Sequence, residues 1–324
     1  MEKTMLLHIE NLKKYYHVRD GFAGKTVIRA VDGVSLGIER GETLGLVGES
    51  GCGKTTLGRT ILRLTEPDSG SIVYDGKDII HADMRPYRSR MQIIFQDHYG
   101  SFDPRCRIRD IVAEGIWANS PGLSKAEIWD QVPALLESVG LDPGNANRYP
   151  HELSGGQRQR IGIARSLAVN PEFVVCDEPV SSLDVSYQAQ IINLLVELKA
   201  KFRLTYLFIS HDLSVVRHIS DRIGVMFMGK LVEYGNSGEV TSNPAHPYTK
   251  NLIDAIPIPD PRAGRAADRG NFAEPADLSV PDHGCKYCRL CARAEPLCSE
   301  EEPALKESAP GHLSACHFSH PASL

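Results

Sequence analysis

Residues 48–55 read GESGCGKT and carry the pattern G-x-x-x-x-G-K-[ST], which is typical of loops that bind phosphate groups. The apolar run at 43–47 predicts a buried strand before this loop, and residues 54–63 predict a helix after it. Glycines allow the tight turns, and the N–H groups at the helix start attract an anion. Lys54 would reach the β- and γ-phosphates, and the Thr55 hydroxyl would bind Mg²⁺. The alternative is a glycine-rich turn between a strand and a helix, with a chance lysine.

A second candidate for chemistry is an apolar strand that ends in two acids. Residues 173–176 are apolar, and Asp177 and Glu178 follow them directly. Because an unpaired buried carboxylate is costly, packing alone does not explain this pair. Asp177 is suited to bind Mg²⁺, and Glu178 to orient or deprotonate a water molecule. His211, which follows a predicted strand at 205–209, is a further catalytic candidate.

Three other segments offer groups suited to a nucleotide. Gln96 follows a predicted strand at 91–95 and can reach a metal ion or an attacking water. The aromatic pair Tyr15 and Tyr16 precedes the phosphate loop, and one of its rings could stack on an adenine ring, although a tyrosine at a strand end often serves packing alone. Ser154 is a predicted N-cap followed by two glycines, so the helix that begins there offers bare N–H groups to a second anion.

The pattern outside these motifs predicts the elements that position them. Three short runs before the phosphate loop predict an antiparallel sheet, with strands at 6–9, 27–31 and 34–38. A helical pattern covers about 108–140, and a capping box at Ser124 begins an apolar segment within it. Pro133 should kink or split that segment.

Composition narrows the class of protein. The 324 residues suit one large domain or two modest ones, and 36 basic against 41 acidic residues give no general footprint for nucleic acid. The apolar runs are far shorter than the roughly 20 residues of a membrane span. The amino terminus lacks the apolar region of a signal peptide, so we expect a cytosolic protein.

Taken in their order along the chain, the motifs resemble those of the nucleotide-binding subunit of ABC transporters. The likeness covers about residues 5–255 and rests on six motifs: the phosphate loop at 48–55, the glutamine loop at Gln96, the signature at 153–157, the acidic strand at 173–178, the D-loop at 182–184 and the switch histidine His211. Further segments at 95–97, 101–105, 149–154 and 246–249 are similar to the importers of oligopeptides, dipeptides and nickel. Residues 156–161 resemble the F-type member of that subfamily, and the match departs from the subfamily at His98.

The resemblance implies an α/β fold, a P-loop NTPase of the ABC type. It would have a RecA-like core, an antiparallel β subdomain, a helical subdomain at about 106–165 and a Cys-rich C-terminal extension. We therefore predict a nucleotide-binding domain at 1–255, followed by a linker and the Cys-rich extension at 256–324.

The same resemblance implies that ATP is hydrolysed between two subunits, each of which supplies half of each site. It assigns the ATP contacts to Tyr16, Gly48, Ser50, Gly51, Cys52, Gly53, Lys54, Thr55 and Thr56, with Ser154, Gly155, Gly156 and Gln157 of the signature serving the nucleotide of the other subunit. The Mg²⁺ ligands would be Thr55, Gln96 and Asp177. The catalytic residues would be Glu178, His211 and Gln96.

Partners and location follow from the resemblance as well. It implies a D-type ATPase as the second subunit, two transmembrane permease subunits and an extracytoplasmic solute-binding protein, with no nucleic acid. The chain would then lie at the cytoplasmic face of the inner membrane as a peripheral subunit of a peptide importer. The alternatives are a soluble ABC ATPase outside transport, and an ATPase whose C-terminal module senses a metal or the redox state.

Five of the eight cysteines lie between 285 and 316. In a reducing compartment, such clustering indicates a metal site before a disulfide. The resemblance to the tails of peptide importers implies a [4Fe–4S] cluster held by Cys285, Cys291, Cys298 and Cys316, with Cys288 as an additional thiol. Two alternatives stay open: a structural zinc site that uses His312, His317 or His320, and free cysteines without a metal.

Overall fold

The computed structural model describes residues 4–20, 24–96, 98–120, 122–181, 183–256 and 283–319. The strands are β1 (Met5–Asp20), β2 (Gly24–Glu39), β3 (Thr43–Val47), β4 (Ser69–Tyr74), β5 (Lys77–Asp78), β6 (Met91–Ile94), β7 (Phe173–Asp177), β8 (Thr205–Ile209), β9 (Arg222–Phe227), β10 (Lys230–Asn236), β11 (Lys306–Ala309) and β12 (His312–Ser314). The α-helices are α1 (Lys54–Ile61), α2 (Arg85–Arg88), α3 (His98–Ser101), α4 (Ile108–Asn119), α5 (Lys125–Trp129), α6 (Val132–Ser138), α7 (Gly155–Leu167), α8 (Val185–Phe202), α9 (Leu213–Ile219), α10 (Ser237–Ser242), α11 (Pro247–Asp254) and α12 (Pro296–Glu300). None of the helices in these ranges is long and apolar enough to cross a membrane.

The larger sheet has the strand order β11-β12-β10-β9-β3-β8-β7-β6. Its five strands from β9 to β6 run parallel to one another. β3, β7 and β8 are buried along their whole length, which explains why each is a continuous apolar run rather than an alternating one. The prediction of an α/β core is confirmed.

The smaller sheet is antiparallel, with the order β2-β1-β4-β5. The prediction of two separate strands at 27–31 and 34–38 is wrong, because both segments belong to β2. Leu12 of β1 pairs with Val34 and Lys13 pairs with Asp32, so Gly33 is the extra residue of a β-bulge. Gly33 has φ +77°, a conformation that a glycine adopts at little cost, and the strand therefore continues through it.

The helical segment after β6 follows its local signals. The capping box at Ser124 begins α5, as predicted, with the Glu127 amide donating to the Ser124 hydroxyl and the Glu127 carboxylate accepting from the Ser124 amide. Pro133 lies in the first turn of α6, where no N–H is needed, so the segment is split there as predicted. The boundaries of a helical subdomain at 106–165 and of a domain at 1–255 stay predictions. The expected linker at 257–276 lies outside the described residues.

The described part of the tail, residues 283–319, adds a strand pair to the edge of the larger sheet. Residues Glu233 and Tyr234 of β10 pair with Ser314 and Leu313 of β12, and β11 pairs with β12. The Glu233 carboxylate is fully buried. It accepts hydrogen bonds from His312 Nε2 at 2.6 Å and from the amides of residues 245 and 246 at 2.8 and 2.9 Å. The tail thus supplies a partner to a carboxylate that would otherwise be costly to bury.

A second polar contact fixes the tail to the antiparallel sheet. Lys286 Nζ lies 3.0 Å from Asp32 Oδ2 and donates to the Met228 carbonyl oxygen, also at 3.0 Å. The Tyr15 hydroxyl donates to the other oxygen of Asp32 at 2.6 Å. Burial acts to raise the pKa of Asp32, but the Tyr15 hydroxyl and the Lys286 ammonium outweigh it and hold that pKa well below its usual range. The contact therefore joins three parts of the chain.

We expect Asp32→Asn to lower the free energy of unfolding by about 1–3 kcal/mol at pH 7, because it leaves a buried lysine without its charged partner. A depressed pKa in the folded state stabilises the fold above the unfolded-state value, and this contribution is lost as the pH falls through the folded-state value. The difference between wild type and variant should therefore shrink below about pH 4 in urea unfolding.

The matched control is Glu66→Gln, which removes an acid from an exposed pair with Arg63; the Glu66 side chain is 67% exposed. It should change stability by less than about 0.5 kcal/mol. Equal effects of the two substitutions at pH 7 would contradict the assigned role of Asp32.

Candidate functional site

The phosphate loop and the catalytic candidates come together at the carboxyl ends of the parallel strands in the larger sheet. The strands β3, β8, β7 and β6 are neighbours in that order and run parallel, so their carboxyl ends lie side by side. The phosphate loop follows β3, and His211 follows β8. Asp177 and Glu178 end β7, and Gln96 follows β6. Crevices at the carboxyl ends of such strands are where open α/β sheets bind ligands.

The phosphate loop is pressed against two backbone segments. A Cβ atom on Gly53 would lie 1.9 Å from the carbonyl oxygen of Ala30 in β2. A Cβ on Gly48 would lie 2.2 Å from the carbonyl oxygen of Met226 in β9. Gly53 also has φ +108° and immediately precedes α1. Only glycine fits these positions, so the loop backbone itself forms the surface that faces a ligand.

The Lys54 side chain is hydrogen-bonded to the backbone of its own loop. The side chain is buried, and Nζ donates to the carbonyl oxygens of Gly48 at 2.7 Å and Glu49 at 2.9 Å. Cys52 Sγ lies 3.7 Å from the same nitrogen, and burial raises the pKa of the Cys52 thiol. Lys54 Nζ is therefore held against the backbone of the phosphate loop, where a phosphate group would need its charge.

Thr55 and Asp177 form the pair that could hold Mg²⁺. The Thr55 hydroxyl donates to Asp177 Oδ1 at 2.7 Å, and Asp177 is only 1% exposed. Burial raises the pKa of the Asp177 carboxyl, so a nearby cation would favour its ionised form. A carboxylate beside a hydroxyl is the oxygen donor set that a small hard cation prefers. The two side chains therefore fit this metal ion.

Glu178 lies between Gln96 and His211. Gln96 Nε2 donates to Glu178 Oε2 at 2.9 Å, and His211 Nδ1 lies 3.5 Å from the same oxygen. Glu178 has φ +46°, which is rare for a residue with a side chain, and its amide donates to the carbonyl oxygen of Ile209 at 3.0 Å. Strained backbone of this kind concentrates at functional sites. Gln96 was predicted both as a catalytic residue and as a Mg²⁺ ligand. Its described contact is with Glu178, the catalytic candidate, and not with Asp177.

The signature residues lie at the start of α7, as predicted. Ser154 and Gln157 form a reciprocal capping box, in which the Gln157 amide donates to the Ser154 hydroxyl and the Gln157 side chain accepts from the Ser154 amide. Gly155 is exposed, and Gly156 is covered by the ring of Tyr187. Ser154 is exposed as well, so this part of the signature lies on the surface.

Tyr16 lies on β1 and is 40% exposed, with Lys14 Nζ 5.6 Å from its ring centroid. It pairs with Ile28 of β2, two residues before Ala30, the residue that packs on Gly53. The antiparallel sheet therefore places this aromatic ring one strand away from the phosphate loop.

All five tail cysteines line one cavity, together with His246, Tyr287 and His317: Cys285, Cys288, Cys291, Cys298 and Cys316. Within the part of the chain that the structure describes, however, no group of three or more His, Cys, Asp and Glu side chains is arranged to hold a metal ion. The predicted cluster is therefore not confirmed by the geometry.

Two of the three histidines of the zinc alternative are hydrogen-bonded through Nε2 in this structure. His312 Nε2 donates to the buried Glu233 carboxylate, which needs a partner there, and His317 Nε2 lies 3.0 Å from the carbonyl oxygen of Glu301. His320 lies outside the described residues.

Ser182 of the D-loop also lies outside the described residues.

Sequence reasoning missed Tyr248. Its hydroxyl accepts a hydrogen bond from the Glu49 amide of the phosphate loop at 2.9 Å, and the residue is 2% exposed. In the sequence, the segment 246–249 indicated only a likeness to the importers of oligopeptides, dipeptides and nickel. The physical signal was a tyrosine in an amphipathic helix, since a buried tyrosine usually needs a partner for its hydroxyl.

Comparison with known proteins bears on this geometry. A family model described as ABC transporter matches residues 31–181, and one described as the C-terminal region of oligopeptide/dipeptide transporters matches residues 232–298. The oligopeptide transport ATP-binding protein AppF of Bacillus subtilis is 48% identical over 323 residues, which is 97% of each chain. A putative peptide import ATP-binding protein of Brucella ovis is 47% identical over 321 residues, covering 98% of each chain.

Solved structures share the fold. An ATP-binding cassette, solved as a dimer in a post-hydrolysis state with ADP and Pi, has a TM-score of 0.64 and 28% identity and covers 72% of this chain and 99% of its own. A protein of Clostridium perfringens that is part of an ABC transporter complex has a TM-score of 0.63 and 28% identity, with coverage of 74% and 92%. The ABC-type P-loop fold expected from the sequence is confirmed.

We expect Gly53→Ala to lower the free energy of unfolding by more than about 3 kcal/mol, because the new methyl group would meet a backbone carbonyl that cannot move without displacing β2. Gly51→Ala is the matched control within the loop. Gly51 has φ +79° and no atom within 4 Å of its Cβ position, so the cost should be about 1 kcal/mol of backbone strain alone. Chemical denaturation measures both values, and a Gly53 variant no less stable than the Gly51 variant would contradict the close contact.

Proposed function

The chain belongs to the ABC transporter ATP-binding proteins, in the oligopeptide and dipeptide branch, and on this premise we propose that Glu178 and its neighbours hydrolyse ATP to drive peptide import. The observation that carries the proposal is that three side chains meet just after the carboxyl end of β7. The Glu178 carboxylate lies 2.9 Å from Gln96 Nε2 and 3.5 Å from His211 Nδ1. The buried Asp177, its neighbour in sequence, bonds Thr55 of the phosphate loop.

The loop and Lys54 bind the triphosphate. The amides of the turn and the first turn of α1 point at the phosphate oxygens, as in other loops of this pattern. Lys54 donates to the phosphates, which places one positive charge where the transferred group carries negative charge. When bound at Thr55 and Asp177, Mg²⁺ supplies further neutralisation of that charge. Tyr16 stacks on the adenine ring.

Hydrolysis is the in-line attack of water on the γ-phosphorus. A bond forms from the water oxygen, and the bond from phosphorus to the bridging oxygen breaks to give ADP and phosphate. The Glu178 carboxylate accepts a hydrogen bond from the attacking water and so orients it. Gln96 holds the carboxylate in position, and His211, beside the same oxygen, can contact the γ-phosphate. Such groups act through positioning and charge rather than through a covalent intermediate.

The complete site needs a second ATPase subunit. Each motif occurs once in the chain, and Ser154 and Gly155 are exposed at the start of α7, where they can complete the site of a partner together with Gly156 and Gln157. We infer that the partner is a D-type ATPase and that the pair acts on two permease subunits served by an extracytoplasmic solute-binding protein. This assembly would place the chain at the cytoplasmic face of the membrane.

Glu178→Gln tests the catalytic role. The amide keeps the shape of the side chain but cannot serve as a negative acceptor, so turnover in the assembled transporter should fall about 100-fold or more, while ATP binding persists. Phosphate release measures turnover, and equilibrium binding of a fluorescent ATP analogue measures affinity.

Glu172→Gln is the matched control. Glu172 immediately precedes β7 and pairs with Arg40 and Arg90 at the opposite end of the strand. This substitution should leave turnover within about twofold of wild type, since it lies far from the reacting atoms. If the Glu178 variant hydrolyses ATP at the wild-type rate, the catalytic assignment is wrong.

We further propose that Cys285, Cys291, Cys298 and Cys316 hold a [4Fe–4S] cluster with a structural role. The supporting observation is that these four thiols line one cavity between the tail and the core, although the described residues do not form a ready metal site. Four cysteine thiolates are the usual ligands of such a cluster, and the same chemistry also suits zinc. A segment this short gains order from a metal, because it can bury little apolar surface by itself.

Metal analysis of anaerobically purified protein tests this. We expect brown protein with about four irons and four sulfides per chain. Replacement of any of the four proposed ligands by serine should remove the colour, and Cys288→Ser should keep it. Colourless protein that contains one zinc per chain would refute the cluster.

A further inference from the structure

One peptide group of the phosphate loop is held from both of its edges. Lys54 Nζ donates to the carbonyl oxygen of Gly48 at 2.7 Å. The amide of Glu49 donates to the hydroxyl oxygen of Tyr248 at 2.9 Å. That carbonyl and that N–H belong to the same planar peptide unit and point in opposite directions. The plane therefore cannot rotate without breaking at least one of the two bonds.

The Tyr248 hydroxyl is aimed by a rigid surrounding. Tyr248 lies in the first turn of α11, and its backbone N–H donates to Nδ1 of the capping residue His246 at 3.1 Å. Its ring centroid lies 4.7 Å from that of Phe227 in β9 and 5.4 Å from that of Tyr287 in the tail. With 2% of its surface exposed, the ring has no freedom to follow the loop.

The tail supplies one wall of this surrounding. Tyr287 packs edge-on against Phe227, with centroids 5.2 Å apart, and its hydroxyl accepts from Asn251 Nδ2 of α11 at 2.5 Å. Lys286, the preceding residue, is fixed on Asp32. Tyr287 is thus anchored at both ends and holds α11 against β9, with Tyr248 between them.

We propose that Tyr248 is a positioning residue for nucleotide binding, and that the tail acts on the phosphate loop through Tyr287 and Tyr248. This inference rests on the proposed function of the loop as the ATP site. The Tyr248 hydroxyl contacts the backbone of the phosphate loop. It fixes the Gly48–Glu49 peptide, and this peptide in turn fixes the place from which Lys54 meets the triphosphate. The catalytic side chains on β6, β7 and β8 are not part of this contact.

Loss of the Tyr248 contact should change the affinity for ATP but not the rate of turnover. Loss of the Tyr248 hydroxyl frees the Glu49 amide to bond water and frees the peptide to rotate, so the loop must be ordered again when the nucleotide binds. The affinity for ATP should fall about three- to tenfold, which corresponds to one neutral hydrogen bond. Glu178, Gln96 and His211 keep their arrangement, so kcat should stay within about twofold while KM rises with Kd.

Tyr248→Phe tests the first part, with Tyr234→Phe as the matched control. Tyr234 is a buried tyrosine of β10 whose hydroxyl donates to the Gly37 carbonyl oxygen at 2.8 Å, in the interface with the antiparallel sheet. Both variants lose one hydroxyl and one hydrogen bond. Only Tyr248→Phe should weaken binding of a fluorescent ATP analogue to the purified chain, although both should lower Tm by a similar few degrees.

Tyr287 tests the second part. Tyr287→Leu removes the ring that packs on Tyr248 and should weaken ATP binding about as much as Tyr248→Phe does. Tyr287→Phe restores the ring and should recover most of that affinity. The double variant Tyr248→Phe/Tyr287→Leu should bind ATP no more weakly than Tyr248→Phe alone, since residues that act through one contact are not additive.

The outcomes distinguish this inference from the function on which it rests. Failure of the wild-type chain to bind ATP would overturn both. Binding by the wild type with an unchanged Kd in Tyr248→Phe, or with an equal change in Tyr234→Phe, would overturn the positioning role alone. Full additivity of the two single changes would overturn the path from the tail.

Discussion

The contact of glycine backbone with carbonyl oxygens around the phosphate loop is the constraint on which the rest of the site depends. Gly53 lies against the Ala30 carbonyl and Gly48 against the Met226 carbonyl, while a Cβ on Gly229 would lie 2.3 Å from the carbonyl oxygen of Arg29. These contacts leave no room for a side chain at the three glycines. The antiparallel sheet is therefore held in one fixed place relative to the loop, and with it the ring of Tyr16. Any shift of β2 would have to displace the phosphate-binding backbone as well.

Much of this arrangement could be predicted from the sequence, for a physical reason. Strands buried on both faces must be apolar throughout, and the predicted runs at 43–47, 173–176 and 205–209 agree with β3, β7 and β8 to within one residue. Side chains that break such a run at its carboxyl end face the ligand crevice, which is why Asp177, Glu178 and His211 could be identified. The helix starts at Ser124 and Ser154 could be predicted as well, because a capping box is made of residues three positions apart in the sequence.

The remaining features depend on contacts between distant parts of the chain. The strand break expected before 34 does not occur, because β1 offers a partner on each side of the bulge. The role of Tyr248 arises from a residue of the phosphate loop 199 positions earlier. The strand β11 is short and mostly exposed, so it has no periodic pattern that would reveal it. The cysteine spacing suggests ligands, but the cavity they line is formed by residues from α11 and the tail together.

The pairing of β10 with β12 has a consequence for biosynthesis. His312 and Glu233 are 79 residues apart in the chain, so the strand that covers β10 leaves the ribosome long after β10 itself. Until then β10 is an open edge, and an unpaired edge is a template for association with another chain. The buried Glu233 carboxylate on that edge opposes such association, since a second strand laid against it would have to desolvate a charge. The Glu233 carboxylate thus protects the open edge of β10 against association until β12 has been made.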